Sequence, residues 1–285
     1  MFSVMYIALA SHAATLTNHP IAALAGSRLP VVDRFSGNER MRNSGRGTGK
    51  ITVRGKFERF ALLWWYLAVA NKWIFFRESM RCWMETGSVF PTGLAWRKKA
   101  IAAAFAHCPR AGLIAIHGIG CGELLVSILT HIRKRNLRVR EVLVMDTNPR
   151  FITHTEKVIR LMRDLGKCRT KIRFVCMDAM HSEKYLREEK LSNPDIVFGM
   201  IPYTNMPRKL EQWVQLYARI TKHFVCMSYI KMAKRPSAQE ATNRLMGLLG
   251  EHFPSVERGL VLWNVPPVYC IISSKDGRYG KTALR

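Results

Sequence analysis

The sequence is short of acids and has no paired-cysteine motif, no long apolar run and no internal repeat. Only 20 of its 285 residues are Asp or Glu, against 45 Lys and Arg, so the formal charge is +25. A surface this positive attracts phosphate, on nucleic acid or on an anionic membrane face, and charge alone does not separate the two. The seven cysteines (82, 108, 121, 168, 176, 226 and 270) are odd in number and scattered, with no CxxC pair. That pattern argues against a disulfide framework or a structural zinc site and points to a reducing compartment. The longest apolar run, Phe60–Ala70, has eleven residues, against the ~18 that mark a membrane-spanning helix. Met1 to Leu16 are apolar but lack a basic leading region, which argues against a secretory signal. The lack of any acid before Asp33 leaves a mitochondrial presequence open, although Arg28 is the only arginine there.

With 48% hydrophobic residues the chain can bury a core. Gly, Ser, Asn and Arg dominate between Asp33 and Lys56 and read as a solvated linker. Residues 1–55 are therefore expected to be a disordered or targeting extension, 56–93 an aromatic, amphipathic helical segment, and 94–285 the main domain. In the middle segment Trp64, Trp65, Tyr66, Trp73 and Trp83 stand among Lys56, Arg59, Lys72, Arg77 and Arg81. Two readings stay open for the 60–76 helix: lying in a membrane interface, or packing on the domain's own core.

From about Ala95 short β-rich runs alternate with helical stretches. Strands are expected at 113–117, 141–146, 172–177, 195–200, 223–229, 256–263 and 268–274. Helices are expected at 123–135, 150–165, 181–190, 208–220 and 238–252. Strands separated by helices of this length mean parallel crossovers, whereas the link Asn264-Val-Pro-Pro267 is short enough to force an antiparallel hairpin. The expected fold is α/β: a mostly parallel, Rossmann-like seven-stranded sheet with an antiparallel last strand and helices on both faces. This layout resembles the class I methyltransferase sheet.

Three successive strand ends carry chemistry. After the first comes His117-Gly-Ile-Gly-Cys-Gly122, whose glycines at 118, 120 and 122 permit a sharp turn and leave no Cβ between chain and ligand. It differs from the dinucleotide fingerprint, whose third glycine would fall at Glu123. Asp146 ends the second strand where a carboxylate reaches ribose hydroxyls, and Thr147 follows it. Asn148 is the better cap for the next helix. Asp178, before Ala179, stands where an acid accepts an adenine amine, with helix capping as its plainer role. Together these signals imply S-adenosyl-L-methionine as cofactor.

Beyond the fourth strand runs Gly199-Met-Ile-Pro-Tyr203, followed by Asn205-Met-Pro207. With Asp146-Thr-Asn-Pro-Arg-Phe151, Asp178-Ala179, Trp263-Asn-Val-Pro-Pro267 and the upstream Thr86–Thr92 stretch, it resembles the bacterial phospholipid N-methyltransferase family over roughly residues 57–275. The resemblance implies methyl transfer to a phosphatidylethanolamine-like amine at a membrane surface, in a cytoplasmic protein peripheral to the inner face. Gly199, Pro202 and Tyr203 would then present the acceptor, with Tyr203 offering its hydroxyl or ring face to a cationic amine. His117 is a candidate base by position only, and a lone histidine at a strand end is more often structural.

The alternative resemblance is to ribosomal RNA adenine dimethyltransferases, which share Ile201-Pro202-Tyr203 and would make RNA the partner. Met200 replaces the asparagine that would orient a planar adenine amine, which favours the lipid reading. Both families usually carry an acid where this chain has Ile116, so a non-catalytic, membrane-binding relative is a third reading.

Overall fold

The computed structural model describes residues 53–81, 92–201, 207–229, 236–263 and 267–276. Pro202 and Tyr203, the extension up to residue 52 and most of the Thr86–Thr92 stretch lie outside them. The first helix, α1 (Val53–Trp65), begins ahead of the boundary expected at 56 and passes through a π-helical turn (Tyr66–Ala70) into α2 (Asn71–Arg81). Then follow α3 (Leu94–His107), β1 (Leu113–His117), α4 (Glu123–Lys134), β2 (Glu141–Asp146), α5 (Pro149–Asp164) and β3 (Lys171–Cys176). After β3 come α6 (Ser182–Glu188), β4 (Ile196–Gly199), α7 (Leu210–Ile220), β5 (His223–Tyr229), α8 (Pro236–His252), β6 (Ser255–Val261) and β7 (Val268–Ser274).

The sheet order is β3-β2-β1-β4-β5-β7-β6. β1 to β5 are parallel, and β7 inserts between β5 and β6, antiparallel to both. This is the seven-stranded, Rossmann-like arrangement expected from the sequence. Period-two alternation divides the core between the two faces. Ile114, Ile116, Val144 and Phe198 pack under α3, α4 and α5, while Leu113, Ala115, Met145 and Val197 pack under α7 and α8. The strand order reverses direction between β1 and β4, and the carboxyl ends beside such a switch are the usual ligand position in sheets of this kind.

The α1–α2 rod packs one of its faces on the domain's own core and leaves the other exposed. Leu63 and Ala70 are buried, and Tyr66, Leu67, Ile74 and Phe75 pack against the core. On the other side Phe57, Trp64, Trp65, Trp73 and Met80 are exposed, Trp64 at 63%. The inward stripe (63, 67, 71, 75, 79) repeats every four residues, which overshoots an α-helical turn by about 40° per step. The π turn widens the winding midway and takes back about one residue of that drift, keeping the stripe on the core. Asn71 is consequently buried, with its side-chain oxygen hydrogen-bonded to Nε2 of His154 on α5. Among the described residues no helix is long and apolar enough to cross a membrane.

Candidate active site

The β1–α4 loop is shaped by backbone that only glycine adopts easily: φ is +82° at Gly118, +53° at Gly120 and +82° at Gly122. The space freed by the missing Cβ atoms is filled by the chain itself. A Cβ on Gly118 would lie 3.0 Å from the Met200 carbonyl oxygen, one on Gly120 would lie 3.1 Å from the Phe75 ring, and one on Gly122 would lie 2.6 Å from Thr155. These glycines thus give the sharp turn expected from the sequence and also make room for neighbouring chain. They let β4, α2 and α5 close around the loop.

Asp146 is the hub of the loop. Its Oδ2 accepts from the backbone N–H groups of Ile119 (2.7 Å) and Gly120 (3.2 Å), and its Oδ1 from that of Asn148 (2.8 Å). The Gly118 N–H donates to the Met145 carbonyl, and the Gly122 N–H to the Ile119 carbonyl. Four loop N–H groups thus have partners inside the chain. A pyrophosphate held by a glycine loop needs such donors, so this loop suits an adenosyl ligand without phosphates better than a dinucleotide.

Asn148 caps α5 as expected, its Oδ1 accepting from the Arg150 N–H at 2.9 Å, with Pro149 at the first helical position. Thr147 is exposed at the same strand end. Asp178 accepts from the Met180 N–H at 2.9 Å, capping a short 3-10 turn beside the buried Ala179. Gly199 ends β4 directly opposite His117, and the Met200 N–H donates to the His117 carbonyl at 2.8 Å. The structure therefore gathers the loop, Asp146, Thr147 and Gly199 at one edge of the sheet.

His117 is placed differently from a base. Its side chain is fully buried on the α7 face, Nδ1 lies 3.4 Å from the Tyr217 hydroxyl, and Nε2 is buried without a partner. Burial pushes its pKa down to about 3, so it is a neutral core residue at working pH.

Three groups beside the loop were not singled out in the sequence. Phe75 covers Gly120 and stacks on Phe151, 5.8 Å between centroids. Arg97 and Glu123 form a largely buried ion pair at 2.9 Å, with burial pushing the Glu123 carboxyl up against the opposing pull of Arg97 and Lys72. Glu78, buried on α2, accepts from Arg150 at 2.9 Å, from Arg77 at 3.3 Å and from the Asn148 side chain at 3.4 Å. Glu78 is the only acid between residues 59 and 84, and that isolation was its legible signal.

Burial alone would raise the Glu78 pKa, but hydrogen bonds from Arg150 and Asn148 and the charges of Arg150 and Arg77 bring it below the usual value of 4.5. A depressed folded-state pKa means stability that is present above the unfolded value and lost as pH falls through the folded one. Glu78→Gln should therefore lower the denaturation midpoint at pH 7. The gap to the parent protein should close as the pH is taken below about 4. An equal gap at both pH values would refute the assignment.

No family model and no curated protein matches the sequence. Solved structures give partial likenesses. A small RNA methyltransferase is 14% identical with a TM-score of 0.48, covering 65% of this chain, which spans only 26% of its length. An O-methyltransferase from Bacillus cereus in complex with SAH is 11% identical (TM-score 0.47; 74% and 96% covered). A Burkholderia thailandensis 1,6-didemethyltoxoflavin-N1-methyltransferase with bound S-adenosylhomocysteine is 14% identical (TM-score 0.45; 76% and 89% covered).

Proposed function

We propose that the protein is an S-adenosyl-L-methionine-dependent methyltransferase that acts on a phospholipid amine at a membrane surface. The reading rests on one observation: a glycine loop at the β1/β4 switch point whose N–H groups are held by Asp146 and the neighbouring strands. Such a loop offers shape and backbone faces to an adenosine in place of phosphate-binding donors.

Asp146 works at the ribose edge through the loop it fixes, and Asp178 and Ala179 border the adenine end. Phe75 covers the loop at Gly120. Bound there, the cofactor would supply an activated methyl group on its sulfonium sulfur. Gly199, at the end of β4, would border the amine. The amine would attack with its nitrogen lone pair as the carbon–sulfur pair returned to sulfur, and its proton would leave to solvent. In-line positioning of this kind accounts for much of the rate when the leaving group is already activated.

Two apolar surfaces support a lipid substrate. The outer face of α1–α2 exposes Trp64, Trp65 and Trp73 beside Lys72 and Arg77, next to the loop that Phe75 covers. The turn after β6 exposes Leu262 and Trp263, the latter at 90%, on the same sheet edge as the loop, because β6 runs parallel to β5. Tryptophans flanked by cations favour the headgroup region of a bilayer.

The test is incubation with methyl-labelled cofactor and either vesicles containing phosphatidylethanolamine or ribosomal RNA. Label is expected in the lipid. Label in the RNA alone would overturn the substrate assignment, and failure to bind the cofactor would overturn the reading as a whole.

A further inference from the structure

A cleft of about 670 Å³ opens on the opposite edge of the sheet, among the segments that lead into β1, β2 and β3. It is lined by Arg110, Arg133, Arg138, Arg140, Lys167 and Arg169, and by no carboxylate and no aromatic ring. The acids nearest the cleft are engaged: Asp164 by Arg59, Glu141 by Lys171 and Arg173, and Asp195 by Lys222 and by the N–H of the lining Gly112. Among the six, Arg140 donates to the Ser192 hydroxyl at 3.2 Å and the Lys167 ammonium lies 4.3 Å from the Phe60 ring centroid.

A structural explanation accounts for only part of this charge. Helices α4 and α5 both end at the cleft, their chains turning through Asn136 (φ +50°) and Gly166 (φ +66°). Each helix end carries roughly half a negative charge, so the two together offset about one of the six cations. The rest repel one another across a surface on which all but Lys167 are exposed, so the repulsion is modest.

We propose that this cleft is a binding site for a small anion carrying several linked phosphates. Its volume falls within the range of small-ligand sites, roughly 300–1,000 Å³. A lone phosphate would occupy only part of such an array, whereas an oligophosphate can meet most of it through charge-assisted hydrogen bonds. Single-stranded nucleic acid is disfavoured by the missing rings, since base stacking supplies much of that binding. The site is on the far edge from the glycine loop and stands independently of the methyl-transfer reading.

The full-length protein is titrated calorimetrically with inorganic tripolyphosphate. The expected result is one site, weakened at least about thirtyfold in Arg133→Gln/Arg138→Gln/Arg169→Gln and unchanged in Lys184→Gln/Arg187→Gln on α6. The triple variant should melt at or above the parent temperature, because it relieves repulsion, so loss of binding will not be confused with loss of fold. Vesicles carrying a phosphorylated inositol lipid form the second arm. Binding in both arms assigns a lipid headgroup, and binding of tripolyphosphate alone assigns a free ligand. Several weak sites indifferent to the triple substitution would overturn the proposal. So would a 20-nucleotide RNA that binds more tightly than tripolyphosphate and is lost in the same variant.

Discussion

Asp146→Ala is expected to lower affinity for S-adenosyl-L-methionine at least about a hundredfold while leaving the protein folded. Its carboxylate accepts three backbone N–H groups, two from the loop and one at the entry to α5. A net ~1 kcal/mol per hydrogen bond, somewhat more for a charged acceptor, gives a loss of about 3 kcal/mol in stability. The cap on α5 survives, because it depends on Asn148 and Arg150. The binding loss should be comparable with the stability loss, since a loop released from Asp146 must be reordered each time a ligand arrives.

Asp146→Asn is not a mild substitute. Both carboxylate oxygens accept, so the amide nitrogen would face an N–H group whichever way it is turned. Its affinity should fall between parent and alanine variant. Calorimetric titration alongside urea denaturation separates the two effects. Unchanged affinity in a destabilised Asp146→Ala protein would remove Asp146 from the site.

The second large effect is expected at Gly122. A Cβ there would stand 2.6 Å from Thr155 Cγ2 and 2.8 Å from its Oγ1, on a backbone with φ +82°. Left-handed backbone costs a non-glycine residue about 1–2 kcal/mol, and forcing atoms into a packed interior about 1–3 more. Gly122→Ala should thus destabilise by about 2–5 kcal/mol, the sum of these two costs.

Thr155→Ala removes both close atoms and leaves Cβ at 3.2 Å. It should recover the steric part and none of the backbone part. The lone Thr155→Ala substitution should be mild, since its buried hydroxyl has no hydrogen-bond partner. A double-mutant cycle on denaturation midpoints isolates the coupling. Purely additive effects would mean that α5 shifts away and the contact is not what fixes the glycine.

Much of the sheet is legible from local pattern. Buried runs such as LIAIH and EVLVMD can only be strands between helices, and the observed β1 and β2 occupy those residues. Insertion of β7 between β5 and β6 follows less directly. The short link predicts the hairpin, but which strand then pairs with β5 is decided by the sheet as a whole. The helical rod was half legible. Its aromatic content is plain, but a stripe at four-residue spacing reads poorly against an α-helical period, and the π turn that reconciles them depends on α5. Glu78 and Arg97 find their partners 72 and 26 residues away, separations no local pattern encodes. Position left His117 open to a base or a structural role, since strand ends look alike in one dimension, and the packing of α7 shows that its ring points into the core.

Because the glycine loop spends its donors on its own chain, recognition there depends on fit and dispersion more than on counter-charge. Raising ionic strength should scarcely affect adenosyl binding, while six clustered cations at the other end of the same strands lose their hold on any polyanion. One domain would then carry two poles with opposite sensitivity to electrolyte, and a salt titration can address either without touching the other.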